Sequence, residues 1–321
     1  MSDPGTSLKG KQLTVRVPGS SANLGAGFDA LGLSLGIYTN LTFQLLDQED
    51  LSIPLITLRG PIANSLPADQ SNLIYRVLAH LWKDYPNLLS RIRIQIESDI
   101  PLGAGMGSSA TAILGSVWAA YTLTDQYPDV GAMLAQASAI EGHPENLAAS
   151  LLGGLVVCGD SFDEQRIVTQ KLTWPSDWRT IVVVPQYTLT THEARSVLPK
   201  EVSLQDAIYN IQRTALLVSA VTNHDENAMS EALHDRLHEP YRDSLVPELG
   251  HLRRRLAQSP IIGCVLSGAG SSVLVIVKDK NRGEILQQLE TWAQAQAKPP
   301  DILDLNIDSK GLQEIYYGDC Q

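Results

Sequence analysis

Residues 99–112, DIPLGAGMGSSATA, place glycines at three alternate positions directly before two adjacent serines, with no charge after Asp99. Glycine costs chain entropy unless a positive φ or a close backbone approach requires it, so three in alternation call for a reason. The lysine-bearing phosphate loop G-x-x-x-x-G-K-[ST] is ruled out because no lysine precedes the serines. A dinucleotide fingerprint fits poorly, since Gly103-Ala104-Gly105-Met106-Gly107 has the wrong last interval. Two readings remain. Ser108 or Ser109 can be the N-cap of a following helix. Alternatively, backbone amides and the helix dipole hold a phosphate there, and a serine hydroxyl reaches Mg²⁺.

Other residue types suited to chemistry are scattered. Asp29 is the only acid between residues 13 and 40, within glycine-rich and apolar sequence. A lone carboxylate in that setting is either an Asx-type turn residue or a ligand group. His143 and Asn146 flank a helix start three positions apart, so both side chains can face one cavity.

The elements that must position these groups are legible in part. Leu13 to Val17 is a short β-like run that Pro18 should stop, and the loop PGSSANLGAGFDALG follows. LTFQLL (41–46) and RIRIQIE (91–97) alternate as half-buried strands do. Between them, Ser71 can cap a helix carrying Leu73, Ile74, Val77, Leu78, Leu81 and Trp82 at helical spacing. The alanine-rich ATAILGSVWAAYTL predicts a buried helix beginning beside the two serines. GAMLAQASAIEGHPENLAASLLGGLVV then predicts a helix, a turn at Gly142-His143-Pro144, a short helix with Pro144 in its first turn, and a strand from Gly154.

GDSFDEQ (159–165) interrupts the apolar pattern with turn formers and acids, and marks the expected domain boundary. Beyond it come strand-like TIVVVP, a helix from Ser203 to about Val221, the segment ELGHLRRRLAQ, and two apolar runs, IIGCVLS and SVLVIV, joined through GAGS. Segregated helices and alternating strands indicate α+β and not a parallel doubly wound sheet.

At 321 residues the chain favours two domains, and 44% apolar with 18% charged residues is ordinary for a globular protein. A net charge of −11, with no cluster of lysine and arginine to override it, argues against nucleic acid and anionic membrane as partners. Any phosphate in a small ligand must therefore be held by backbone amides, a helix N-terminus or a bound metal. Cys158, Cys264 and Cys320 are far apart and in no CxxC pattern, which argues against a disulfide framework or a zinc site. The polar start MSDPGTSLKGKQ lacks an apolar signal core, and no run is long and apolar enough to span a bilayer, so a cytoplasmic protein is expected.

PLGAGMGSSATA is similar to the Pro-x-x-x-Gly-Leu-Gly-Ser-Ser-Ala-Ala motif of the GHMP kinases, with Met106 in the leucine position and Thr111 replacing an alanine. VPGSSANLGAGFDALGLSL resembles the first motif of the homoserine kinases in that superfamily, EGHPENLAASLLGG their central segment, and LSGAGSSVLVIV their third glycine-rich motif. THEARSVLP resembles the Thr-Lys-x-Ala-Arg-x-x-Leu-Pro segment, and HEPYR lies before Asp243. The matches span residues 15–278 in the family's order. Three departures stand out: Ser271-Ser272 for the usual Pro-Thr, which implies a softer loop, His192 for a lysine, and Glu145 for the aspartate of His-Pro-Asp-Asn.

The resemblance implies the two-domain GHMP kinase fold, with a ribosomal protein S5 domain 2-like N-terminal domain over 1–162 and a ferredoxin-like C-terminal domain over 163–321. It implies transfer of the ATP γ-phosphoryl group to L-homoserine, an entry to threonine synthesis, with ATP and Mg²⁺ as cofactors and a homodimer as the usual assembly. By residue, it implies that Asn23, Asp29, His143, Arg195 and Arg242 bind the substrate, the arginines taking its carboxylate. Pro101, Leu102, Gly103, Ala104, Gly105, Met106, Gly107, Ser108, Ser109 and Ala110 would contact the nucleotide, with Asn72 on the adenine side. Ser109 and Glu141 would hold the Mg²⁺, and Asn146, Thr191 and Arg195 would serve the in-line transfer itself, without a dedicated strong base. Other classes remain open: a GHMP kinase for mevalonate or shikimate, or a non-catalytic GHMP-fold nucleotide-binding protein.

Overall fold

A computed structural model describes residues 12–126 and 129–315. The polar N-terminal stretch before residue 12 and Cys320 lie outside the described residues. Among the described residues no helix is long and apolar enough to cross a membrane.

The first sheet is built on two long antiparallel strands, β1 (Gln12–Ala22) and β2 (Leu31–Leu45). One edge of β2 pairs with β1 along its length; the other carries β4 (Ile92–Ser98) near its end and β5 (Leu155–Asp160) near its start. β3 (Ile56–Arg59) extends the sheet parallel to β4, β6 (Ile167–Leu172) pairs with β5, and β11 (Gln313–Glu314) returns from the chain's end to β1. Pro18 does not stop β1. The β1–β2 register shifts between Pro18 and Gly19, and a residue without an N–H is accommodated where the ladder is already interrupted.

Five helices lie with this sheet: α1 (Leu73–Leu81), α2 (Pro86–Arg91), α3 (Ser108–Thr122), α4 (Val130–Glu141) and α5 (Glu145–Leu152). Asn72, and not Ser71, caps α1, because its side chain accepts from the Ile74 N–H while Ser71 is held by Asp69. Pro144 stands at the N-cap of α5, one position before the first turn expected for it. Leu41, Phe43 and Leu45 of β2 join Ala110, Ile113, Leu114 and Val117 of α3 in one buried cluster. α3 is apolar on nearly every side, as a helix enclosed by neighbours must be.

The second sheet has strand order β10-β7-β9-β8, all antiparallel: β7 (Trp178–Val184), β8 (Ile261–Leu266), β9 (Val273–Lys278) and β10 (Asp301–Leu305). Between β7 and β8 run α6 (Thr191–Ser196), α7 (Leu204–Asn223), α8 (Glu226–Ala232), α9 (Glu239–Arg242) and α10 (Pro247–Arg255); α11 (Arg282–Gln294) joins β9 to β10. That β-α-β-β-α-β order is ferredoxin-like. Residues 159–165 cover the end of β5 and most of its turn to the paired β6, and the chain passes from the first sheet to the second after Leu172 and before Trp178.

The two sheets share a core. Leu31, Leu33 and Leu35 at the start of β2 pack with Ala104 and Met106 of the glycine loop and with Trp178, Val182, Val265 and Leu274 of the second sheet. The glycine loop is thereby clamped at the seam.

Candidate active site

Gly103, Gly105 and Gly107 all have positive φ (61°, 75° and 72°), and no other residue from 99 to 112 does. The loop therefore alternates between two backbone hands, a pattern that turns successive N–H groups into a concavity suited to an anion. At Gly105 a Cβ would stand 2.2 Å from the Ser267 carbonyl oxygen, so backbone approach as well as φ demands glycine. Gly107 is the N-cap of α3 in the left-handed region, with no side-chain cap. Neither serine caps the helix; they are its first two residues, and helix geometry leaves their N–H groups without intrahelical partners.

Ser109 instead donates to Glu141 Oε1 at 2.5 Å, across from α3 to the last residue of α4. Burial raises the Glu141 pKa, against the lowering effects of the Ser109 hydrogen bond and His143. Desolvation of that carboxylate is relieved by a cation. A hydroxyl and a carboxylate oxygen side by side form the hard-oxygen pair that Mg²⁺ takes when phosphates supply the rest of its shell. Among the described residues no group of three or more His, Cys, Asp or Glu could hold a metal alone.

These residues line a cleft of about 160 Å³. Its lining includes residues 103–109 and Glu141, and also Asp29, Arg195 and Arg242, with Phe28. Asp29 and Arg195 form a bidentate pair, Nη1 to Oδ2 at 3.0 Å and Nη2 to Oδ1 at 2.7 Å, each side chain 36% exposed. Arg242 is 2% exposed; its Nε donates to the Ala194 carbonyl, and its Nη1 to His238 Nδ1 and the Gly268 carbonyl. Nη2 is thus the atom left to meet an anion. Burial, with Arg195 nearby, pushes this guanidinium down to about 10, which keeps it charged at neutral pH.

Asn23 fastens the first loop. Its Oδ1 accepts from the Asp29 N–H and its Nδ2 donates to the Gly268 carbonyl, so it holds Asp29 and the third glycine motif together. Asn23 and Asp29 both have positive φ (73° and 55°), outside the usual range for residues with side chains.

A hydrogen-bonded chain leads from the interior to Asn146 and Glu145 in the cleft wall. Ser150 donates to Ser20, Ser20 to Asn146 Oδ1 at 2.9 Å, and Asn146 Nδ2 to Glu145 Oε1 at 3.3 Å. His143 Nδ1 lies 2.9 Å from the same Glu145 oxygen. Burial alone would lower the His143 pKa, but Glu145 and Glu141 outweigh it and the net shift is upward. Glu145 Oε2 is buried without a hydrogen-bond partner in the cleft wall. Thr191 opens α6 at the cleft's exposed edge, after Thr190, which caps the helix in a capping box with Glu193.

Four expected contact residues do not line this cleft. Asn72 and Leu102 line a second, more apolar pocket of about 360 Å³ with Ile62, Leu66, Pro67 and Ile96, which shares Ser108 and Ser109 with the first. The Asn72 amide is engaged at both ends, accepting from Ile74 N–H and donating to the Pro67 carbonyl. Pro101 lines neither pocket, and Ala110 is wholly buried in the core. Ser271 and Ser272 are fully buried, and Ser271 donates to the Tyr187 carbonyl, so a hydroxyl restrains the loop where softness was expected.

Sequence reading did not place Phe28, Glu145, Leu189 or Gly268 to Gly270 in the site, though all line the cleft. The third glycine motif was a visible signal for the last three. Phe28, next to Asp29, offered none.

Two family models match the chain, the GHMP kinases N terminal domain over residues 72–154 and the GHMP kinases C terminal over 217–293. A homoserine kinase of Solibacter usitatus is 38% identical over 304 residues, covering 93% of this chain and 96% of the relative. The chain belongs to the homoserine kinase family. A homoserine kinase of Synechocystis is 35% identical over 300 residues, covering 93% and 96%. Among solved structures, the homoserine kinase of Cytophaga hutchinsonii superposes with a TM-score of 0.81 at 23% identity, covering 95% of this chain and 97% of that one. Mevalonate-3-kinase from Thermoplasma acidophilum shares the fold with a TM-score of 0.64 at 15% identity, covering 96% and 98%. The two-domain GHMP architecture expected from the motifs is the one observed.

Proposed function

We propose that this protein is the kinase that transfers the γ-phosphoryl group of ATP to the side-chain hydroxyl of L-homoserine. The observation that carries the reading is a single cleft lined by the Asp29–Arg195 pair and Arg242 together with an uncharged helix-start cradle. A zwitterionic amino acid presents an ammonium and a carboxylate, the complements of Asp29 and the arginines. A half-exposed ion pair such as Asp29–Arg195 contributes about 1 kcal/mol or less, so a ligand offering both charges can replace it. Mevalonate or shikimate carries only the carboxylate and would leave Asp29 without a cation.

The backbone N–H groups at residues 103–109 take the nucleotide phosphates, and the apolar pocket around Ile62, Leu66 and Leu102 takes the adenine. Ser109 and Glu141 hold Mg²⁺, which neutralises phosphate charge when bound. Asp29 binds the ammonium from a backbone fixed by Asn23, Arg242 directs Nη2 and Arg195 its fork at the carboxylate, and His143 and Thr191 border the acceptor hydroxyl. The Asn146 amide is not basic enough to take the hydroxyl proton; held by Ser20 and Glu145, it fixes the cleft wall beside Gly107. Phosphoryl transfer through a loose transition state depends on positioning and charge stabilisation more than on a strong base.

ADP release measured with L-homoserine, D-homoserine, L-serine, mevalonate and shikimate tests this reading. Preference for L-homoserine, with phosphate on its hydroxyl by ³¹P NMR, is expected. Higher turnover with either of the two non-amino acids, or nucleotide binding without turnover of any alcohol, overturns it.

A further inference from the structure

His238 is wholly buried and does not line the cleft, yet its ring meets Arg242 and the loop that carries Asp29. Phe28, the residue before Asp29, stacks on it at 5.0 Å between centroids and 20° between planes. Its Nε2 lies 2.8 Å from the Gly25 carbonyl oxygen and its Nδ1 3.0 Å from Arg242 Nη1. A carbonyl only accepts and a guanidinium only donates. Nε2 therefore carries the hydrogen and Nδ1 the lone pair, which is a single neutral tautomer.

The ring's backbone is held as firmly. Asp235 accepts from the N–H groups of Leu237, His238 and Glu239 and from Asn210 Nδ2. Asn210 and Thr214 of α7 also grip the Ala26 carbonyl, so the loop carrying Gly25, Phe28 and Asp29 is fastened on both sides of the imidazole.

We propose that His238 is a positioning residue for the substrate's carboxylate. By accepting from Nη1 it sets the guanidinium of Arg242 so that Nη2 points into the cleft, and through Gly25 and Phe28 it ties that orientation to the loop that presents Asp29. One buried ring thus coordinates recognition of the two charged ends of the amino acid. The proposal rests on the reading that Arg242 binds the carboxylate of homoserine.

Two near-isosteric variants separate its two hydrogen bonds. In His238→Asn the amide oxygen reaches the place of Nδ1 and keeps an acceptor for Arg242; in His238→Gln the amide nitrogen reaches the place of Nε2 and keeps only the donor to Gly25. Loss of a hydrogen bond to a charged group predicts a roughly 10- to 100-fold rise in the KM for L-homoserine in His238→Gln. His238→Asn should recover most of that rise, with kcat and the KM for ATP little changed in both. With 3-aminobutan-1-ol, which has a methyl in place of the carboxylate, the variants and the parent should not differ in KM.

A KM for L-homoserine that is equal in the two variants, or a rise of the ATP KM in parallel, overturns the positioning role while leaving the functional reading intact. A parent protein that does not phosphorylate L-homoserine overturns the functional reading itself. Where a variant fails to fold, ¹⁵N NMR of the parent's His238 ring reads the same proposal: a neutral Nε2–H tautomer supports it, and an imidazolium or an Nδ1–H tautomer overturns it.

Discussion

The two sides of the cleft handle charge by opposite means. On the side we assign to phosphate, residues 100–124 carry no charged side chain, the field comes from amides and the start of α3, and Ser109 there meets the Glu141 carboxylate. On the side we assign to the amino acid, charged groups come from three distant places in the chain: Asp29 pairs with Arg195, and Arg242 meets the buried imidazole of His238. Backbone dipoles suit a ligand whose phosphates are alike in every nucleotide. Paired side chains suit a ligand that must be told from other small alcohols, because a missing charge leaves a partner uncompensated. Substitutions on the first side should therefore damage turnover and nucleotide use, and those on the second should damage only amino acid use.

The largest effect is expected at Gly105. Gly105→Ala drives a Cβ into the Ser267 and Gly270 carbonyls at a φ of 75°, so kcat/KM for ATP should fall more than about 100-fold, since each 1.36 kcal/mol of lost stabilisation is tenfold. Activity within threefold of the parent would show that the loop is not the phosphate side. Glu141→Gln comes next, with turnover down by roughly 100-fold, because a weakened hold on Mg²⁺ removes charge neutralisation at the reacting phosphates. The same variant should raise the unfolding temperature of the free protein at neutral pH. A carboxyl whose folded pKa lies above its unfolded value contributes stability only below the unfolded value and loses it as pH rises through the folded one, so at pH 7 the buried charge is a net cost. A lower unfolding temperature at that pH would contradict the sign.

Arg195→Ala and Arg242→Ala test the other side. Each should raise the KM for L-homoserine by roughly 10- to 100-fold through a lost charge-assisted hydrogen bond, and leave the KM for ATP close to the parent's. Equal effects on both substrates would erase the distinction between the two sides. The smallest effect is at His143, in the wall of the same cleft. Its folded pKa is raised, so the stability it draws from Glu145 is complete below its ordinary value of 6.5 and is lost as pH rises through the raised value. The unfolding temperature of the parent should exceed that of His143→Gln at pH 6, and the gap should narrow by pH 9. A gap that widens with pH would mean that His143 is neutral throughout.

Much of the phosphate side is readable from neighbouring residues. Alternating glycines, two serines and an alanine-rich helix are contiguous, and their physics is local: positive φ, free N–H groups and helix propensity. The serine that a local view offers as a cap turned out otherwise because Gly107, in the left-handed region, already ends the loop and frees both hydroxyls. Pro18 was misleading for a similar reason: the β1–β2 register shift that accommodates it is a property of two strands, not of one.

The amino acid side was legible only through motifs. Nothing in the local sequence of Asp29, Arg195 or Arg242 says that they meet, since 166 positions separate the first two. His238 and Glu145 carry no local mark of their roles, because a buried polar residue is recognised by its partners.

Composition and local pattern by themselves determined the α+β class and the buried helix after the glycines, because periodicity and helix propensity are sums over neighbours in the chain. Only the tertiary structure decided that Ser109 meets Glu141, that Asn23 fastens Asp29 to Gly268, and that one tautomer of His238 orients Arg242. Hydrogen bonds extend about 3 Å and depend on direction. Which donors and acceptors come within that reach is settled by how the two sheets pack on their shared core.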